Sequence, residues 1–120
     1  MNNHSIGIFD SGLGGLTVLT TLEKFLPNES FIYFGDTVHV PYGNKSVDAV
    51  IRYSRNIVDF FLKHNTKAVV IACNTASAVA YQELRNNYDI AIFDVVEPSV
   101  IHSDHISRTR KIGVIGTQST

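Results

Sequence analysis

One cysteine, Cys73, stands between an uninterrupted apolar run, Ala68-Val69-Val70-Ile71-Ala72, and a stretch with helical spacing, residues 75–86. A thiol that closes a buried strand and opens a helix lies in the field of the helix N-terminus, which favours the thiolate. Asn74 and Thr75 add polar side chains and backbone donors suited to a carboxylate. A lone cysteine elsewhere is usually a small buried hydrophobe, so its position is what makes this one a candidate. Two chemistries are open to it. A nucleophilic thiol wants a nearby histidine as base. Of His4, His39, His64, His102 and His105, only His39 has a place that could face the site, and an ordinary loop histidine is the simpler reading for it. A thiol that moves protons instead needs a positioned carboxylate to tune it. Asp10, at the end of the run Ile6-Gly7-Ile8-Phe9, has that position.

Asp10 opens the segment Asp10-Ser11-Gly12-Leu13-Gly14-Gly15. A glycine-rich turn ahead of a helix presents backbone N–H groups to an anion. The dinucleotide fingerprint fails here, because Thr17 stands where its third glycine belongs, and no phosphate loop ending in Gly-Lys-Ser/Thr is present. The turn reads either as close helix–sheet packing allowed by glycine or as part of a binding site. A third segment, Gly35-Asp36-Thr37-Val38-His39-Val40-Pro41-Tyr42-Gly43, is a long loop stiffened by Pro41 and opened to close approach by Gly43. Such a loop at the ligand end of a sheet is more often functional than a loop elsewhere.

The elements that would position these segments follow from the apolar pattern. Residues 6–9 form a first strand. Leu13, Leu16, Leu19, Leu22 and Leu26 mark one face of a helix that Pro27 and Asn28 stop. Residues 31–34 form a second strand, and a loop follows over 36–45. Ser46 N-caps a helix running to about Asn65. Residues 68–72 read as a strand buried on both faces. A helix over 75–86, a strand over 90–95, a short helix over 98–105 and a fifth strand over 111–115 complete the pattern. Strict strand–helix alternation implies a Rossmann- or flavodoxin-like three-layer α/β domain: an open parallel sheet with helices on both faces. Ligands of such sheets bind outside the carboxyl ends of the strands, where all the candidate segments fall, with Gly116-Thr117 after the fifth strand. No internal repeat, low-complexity tract or linker interrupts the chain, so residues 1–120 form one domain. The chain stops directly after the fifth strand with no helix to cover it, and further polypeptide is expected beyond Thr120.

Composition narrows the function. The 120 residues carry a formal net charge of −1, without the basic patch of a nucleic-acid binder or membrane-surface protein. Arg108, Arg110 and Lys111 read as a solvated loop. No apolar run approaches the ~20 residues of a membrane span, and the short polar start, Met1 to Ser5, is no signal peptide. A single Cys makes neither an internal disulfide nor a thiolate metal site. The expectation is a cytoplasmic protein acting on a small molecule.

Together the segments resemble the glutamate racemases of the aspartate/glutamate racemase superfamily. The resemblance lies in Ile8-Phe9-Asp10-Ser11-Gly12-Leu13-Gly14-Gly15-Leu16, Tyr33-Phe34-Gly35-Asp36-Thr37 with Pro41-Tyr42-Gly43, Ala72-Cys73-Asn74-Thr75-Ala76-Ser77, Val96-Glu97-Pro98, and Ile115-Gly116-Thr117 through Thr120. It implies an enzyme of two pseudo-symmetric α/β halves, a homodimer at full length, that inverts glutamate without pyridoxal phosphate, nucleotide or metal and supplies D-glutamate for peptidoglycan. One cysteine from each half faces opposite sides of the substrate α-carbon. Cys73 matches the first of these and Asp10 its supporting acid. Ser11, Pro41, Tyr42, Gly43, Asn74, Thr75 and Thr117 match substrate-binding positions. The second half, with its Cys-Thr-His segment, is absent from this sequence, so the chain alone is expected to be inactive. An aspartate or hydantoin racemase is the nearest alternative, and a non-catalytic dicarboxylate-binding module the alternative from another class.

Overall fold

The computed structural model describes residues 3–120; of the polar N-terminal segment, Met1 and Asn2 lie outside the described residues. Strand β1 (Ser5–Asp10) is central. It pairs in parallel with β2 (Phe31–Gly35) on one side and β3 (Thr66–Ile71) on the other, and β3 pairs in parallel with β4 (Ala91–Phe93). The order β2-β1-β3-β4 places the switch in strand order between β1 and β3, where an open α/β sheet opens its ligand crevice. Ladder contacts continue past the strand ends: Asp36 N–H donates to the Asp10 carbonyl at 2.9 Å and Ala72 N–H to the Phe9 carbonyl at 2.8 Å. Asp10, Asp36 and Cys73 are thereby gathered at one end of the sheet.

Helices α1 (Leu16–Phe25), α2 (Val47–Lys63), α3 (Asn74–Asn87) and α4 (Val96–Ile106) alternate with the strands. Ser46 caps α2 as its sequence requires, accepting from Ala49 N–H at 3.2 Å, a contact that stabilises a helix by about 1 kcal/mol. The main core lies between the sheet and the α2–α3 layer, where Val50, Ile57, Val58 and Phe61 of α2 meet Phe9, Val69 and Ile71 of the strands and Ala76, Ala80 and Leu84 of α3. Gly7 is there because nothing larger fits: a Cβ would stand 2.8 Å from the Phe61 ring.

Three expectations need correction. The leucine stripe does mark a helix, but only Leu16, Leu19 and Leu22 lie within α1; Leu13 precedes it, and Leu26 follows it as the C-cap. The fourth strand is three residues long instead of six, because the Asp94 carboxylate accepts from the N–H groups of Val96 and Glu97 and starts α4 early. The fifth strand does not form. Residues 111–117 have no strand ladder, and Val114 and Ile115 are 82% and 102% exposed. After α4 the chain turns at Arg110, whose φ is 57°, and its end is held by Thr117 at the mouth of the sheet rather than by the edge of β4. An apolar run becomes a strand only when an edge supplies its hydrogen bonds, and β4 offers a short one.

Candidate active site

Cys73 itself is the N-cap of α3. Its Sγ accepts from the N–H of Ala76 at 3.4 Å, so the sulfur faces the donor end of the helix dipole. The residue is 6% exposed, and its S–H donates to Ser11 Oγ at 3.7 Å. Ser11 Oγ in turn donates to Asp10 Oδ1 at 3.5 Å. The three groups form a file, thiol to hydroxyl to carboxylate, in which each donor points the same way. The other carboxylate oxygen, Asp10 Oδ2, accepts from Gly15 N–H at 2.9 Å. This is the anion-binding geometry of a glycine turn, filled here by the protein's own acid.

That turn is closed by a residue not singled out from the sequence as a site residue. Tyr33 donates its hydroxyl to the Gly12 carbonyl at 2.8 Å. Burial, then the nearby charges of Asp10 and Cys73, push its ionisation upward, against the Gly15 N–H, which lowers it. Gly15 is wedged into the same knot. A Cβ there would lie 2.7 Å from Asp10 Cβ and 3.0 Å from both Ala72 Cβ and Tyr33 Oη.

The loop after β2 arrives from the other side. Val40–Pro41 is a cis peptide bond, and residues Tyr42–Asn44 form a single 3-10 turn packed against α3. Tyr42 is 1% exposed and donates to Asp36 Oδ2 at 2.6 Å. Burial, then this hydrogen bond and charge, raise Tyr42 far above the ordinary phenol range. His39 does not reach the thiol. Its Nδ1 sits 2.9 Å from both Asp36 oxygens, and its ring stacks on Tyr53 with centroids 3.9 Å apart, so the loop reading of that histidine holds. Gly43 abuts Thr117, whose Cγ2 would be 2.6 Å from an added Cβ. Thr117 Oγ1 also meets Thr75 Oγ1 at 3.0 Å. The end of the chain thus reaches the site without being a strand.

Cys73, Asn74, Thr75 and Thr117 line a cavity of about 670 Å³ bounded by α4 and residues 112–116. Asp10, Ser11, Pro41, Tyr42 and Gly43 stand behind or beside that wall and do not line it. Asn74 is exposed. The arrangement suits proton exchange between a sulfur and a small polar molecule held by donors at a helix start. No group of three or more His, Cys, Asp or Glu placed to hold a metal occurs among the described residues, and no described helix is long and apolar enough to cross a membrane.

Residues 16–120 match the Asp/Glu/Hydantoin racemase family. The chain belongs to that family. It is 49% identical over 116 residues to the glutamate racemase of Geobacter metallireducens, covering 97% of this chain and 43% of that protein. Among solved structures, the glutamate racemase from Aquifex pyrophilus superposes with a TM-score of 0.93 at 45% identity, over 96% of this chain and 46% of that one. The Thermus thermophilus glutamate racemase in complex with β-chloro-D-alanine gives 0.89 at 47% identity, over 98% and 45%. The chain therefore spans a little under half the length of the family members it matches. The parallel α/β fold expected from the sequence is the fold of these racemase structures.

Proposed function

We propose that this chain is the N-terminal α/β domain of a cofactor-independent glutamate racemase, contributing one of two acid/base thiols. The observation that carries the reading is the Cys73 sulfur. It lies at the start of α3, hydrogen-bonded to Ser11 beside Asp10, and borders a cavity. The high identity to glutamate racemases supports the choice of glutamate over aspartate or a hydantoin.

In this mechanism the Cys73 thiolate takes the α-proton of bound glutamate, forming S–H and leaving the electron pair on the α-carbon. The thiol of a second domain delivers a proton from the opposite face, and the stereocentre inverts. A single base would return the proton to the face it left, so two groups are needed. Asp10, anchored by Gly15 N–H, receives the hydrogen bond of Ser11 and so orients the hydroxyl that accepts from the Cys73 thiol. The N–H groups and side chains of Asn74 and Thr75, at the positive end of α3, hold the substrate carboxylate and stabilise the charge that spreads into it. Thr117 completes the lining of the cavity, and Ser11, Pro41, Tyr42 and Gly43 support that wall from behind, Gly43 against Thr117 and Ser11 against Cys73. The enzyme works in the cytoplasm as a homodimer and supplies D-glutamate to the cell wall.

The test is solvent deuterium wash-in at the α-carbon of L- and D-glutamate, run on the two-domain protein and its Cys73→Ala variant. Wild-type exchange with inversion from both enantiomers is the expected result, with inversion lost in the variant and exchange kept at most for the enantiomer that faces the remaining thiol. Undiminished exchange in Cys73→Ala would overturn the assignment.

A further inference from the structure

Asp36 lies outside the thiol–hydroxyl–carboxylate file, yet it is only 7% exposed and fully engaged. Its backbone N–H is fixed to the Asp10 carbonyl at 2.9 Å. Its carboxylate accepts from the buried Tyr42 hydroxyl at 2.6 Å and meets His39 Nδ1 at 2.9 Å. A buried carboxylate is costly unless such partners satisfy it, and here both partners come from the one loop that carries Pro41-Tyr42-Gly43. His39 is further pinned by stacking on Tyr53 of α2. The opposite end of the same turn presses Gly43 against Thr117, which joins Thr75 beside Cys73.

We infer that Asp36 is a positioning residue: it clamps the Pro41-Tyr42-Gly43 turn to the end of β1, fixing the wall of the substrate site relative to Asp10 and Cys73. This rests on the racemase reading for its effect on glutamate, but the clamp itself is a property of the loop. The clamp acts on binding and leaves the acid/base groups untouched. Asp36→Ala is therefore expected to raise the KM for glutamate about tenfold, the scale of one lost charge-assisted hydrogen bond, with kcat reduced by less than about threefold. Asp36→Asn keeps an oxygen for the Tyr42 hydroxyl and recovers most of the loss. Tyr42→Phe, which keeps the buried ring, reproduces the KM rise. The double variant Asp36→Ala/Tyr42→Phe is no worse than Asp36→Ala alone, because the Tyr42–Asp36 bond is already gone there.

Kinetics are measured on the two-domain protein, and amide hydrogen exchange over residues 37–45 on the 120-residue chain with no glutamate present. Expected is faster exchange over 37–45 in Asp36→Ala and Tyr42→Phe, with the strand amides unchanged. Unchanged exchange over 37–45 overturns the clamp whatever the enzyme's substrate. A fall in kcat at constant KM, or multiplying effects in the double variant, overturns the positioning role. Loop exchange that responds while the wild type leaves glutamate untouched overturns the racemase reading and upholds the clamp.

Discussion

The sulfur of Cys73 and the hydroxyl of Ser11, 62 residues apart in sequence, meet at 3.7 Å where β1 and β3 end side by side. Through that hydroxyl the thiol communicates with Asp10, to which no direct hydrogen bond runs. On the proposed racemase reading, Ser11→Ala should therefore slow α-proton exchange by roughly tenfold, well short of the loss in Cys73→Ala, because the sulfur and its contact with the Ala76 N–H remain. Deuterium wash-in on the proposed two-domain protein measures both. A Ser11→Ala enzyme as fast as wild type would remove the hydroxyl from the proton path.

Gly15 tests the packing of the acid. An alanine Cβ would stand 2.7 Å from Asp10 Cβ and 3.0 Å from Ala72 Cβ, neither of which is the end of a flexible chain. Gly15→Ala should lower stability by about 1–3 kcal/mol, the cost of overpacking a tight site, and shift Asp10 away from Ser11. Urea unfolding of this chain gives the first value. Equal midpoints for variant and wild type would contradict the contact.

Alkaline unfolding should involve Tyr88. Burial, then the hydrogen bond to Asp59 at 2.8 Å and the Asp59 charge, raise it from 10.0 to about 12. Between those values the folded chain keeps a proton that the unfolded chain has lost. The contribution is complete below pH 10.0 and disappears as pH climbs to about 12. Tyr88→Phe should flatten the fall of the urea midpoint across that window. A fall as steep as wild type's would place the alkaline sensitivity elsewhere.

Val114 and Ile115 are exposed, whereas Val69 in β3 is fully buried. Ile115→Asn should change the stability of this chain by no more than about 0.5 kcal/mol. Val69→Ala should cost about 2 kcal/mol through lost burial and a cavity. Chemical denaturation compares them, and a large cost for Ile115→Asn would mean that the apolar run is packed after all.

Much of this molecule was legible in its residues because local chemistry and tertiary position agree. The apolar bursts at 6–9, 31–34 and 68–72 fall on strands, the last ending one residue early at Ile71, Ser46 caps its helix, and Cys73 stands just past the end of a central strand. Asp10 could be placed because a parallel sheet brings the carboxyl ends of all its strands to one edge. The run 111–115 misled because its pattern records apolarity and says nothing about which edge is available to pair with it. Tyr33 and Asp36 were visible only as parts of a motif. Their partners, the Gly12 carbonyl and the Tyr42 hydroxyl, are contacts that no periodicity encodes. The shortening of β4 depended on whether Asp94 would extend a strand or cap a helix, and the side chain's reach to two N–H groups decided it.

The central place of β1 has a consequence for how the chain is made. Both of its neighbours, β2 and β3, lie downstream of it, so a nascent polypeptide emerging N-terminus first carries an apolar segment with no partner until residue 31 is out, and an open flank until residue 71 follows. Parallel pairings over such separations close slowly, and the waiting segment is exposed to wrong neighbours meanwhile. Synthesis speed and chaperone access up to residue 71 should therefore govern the yield of this folded domain more strongly than events over residues 72–120.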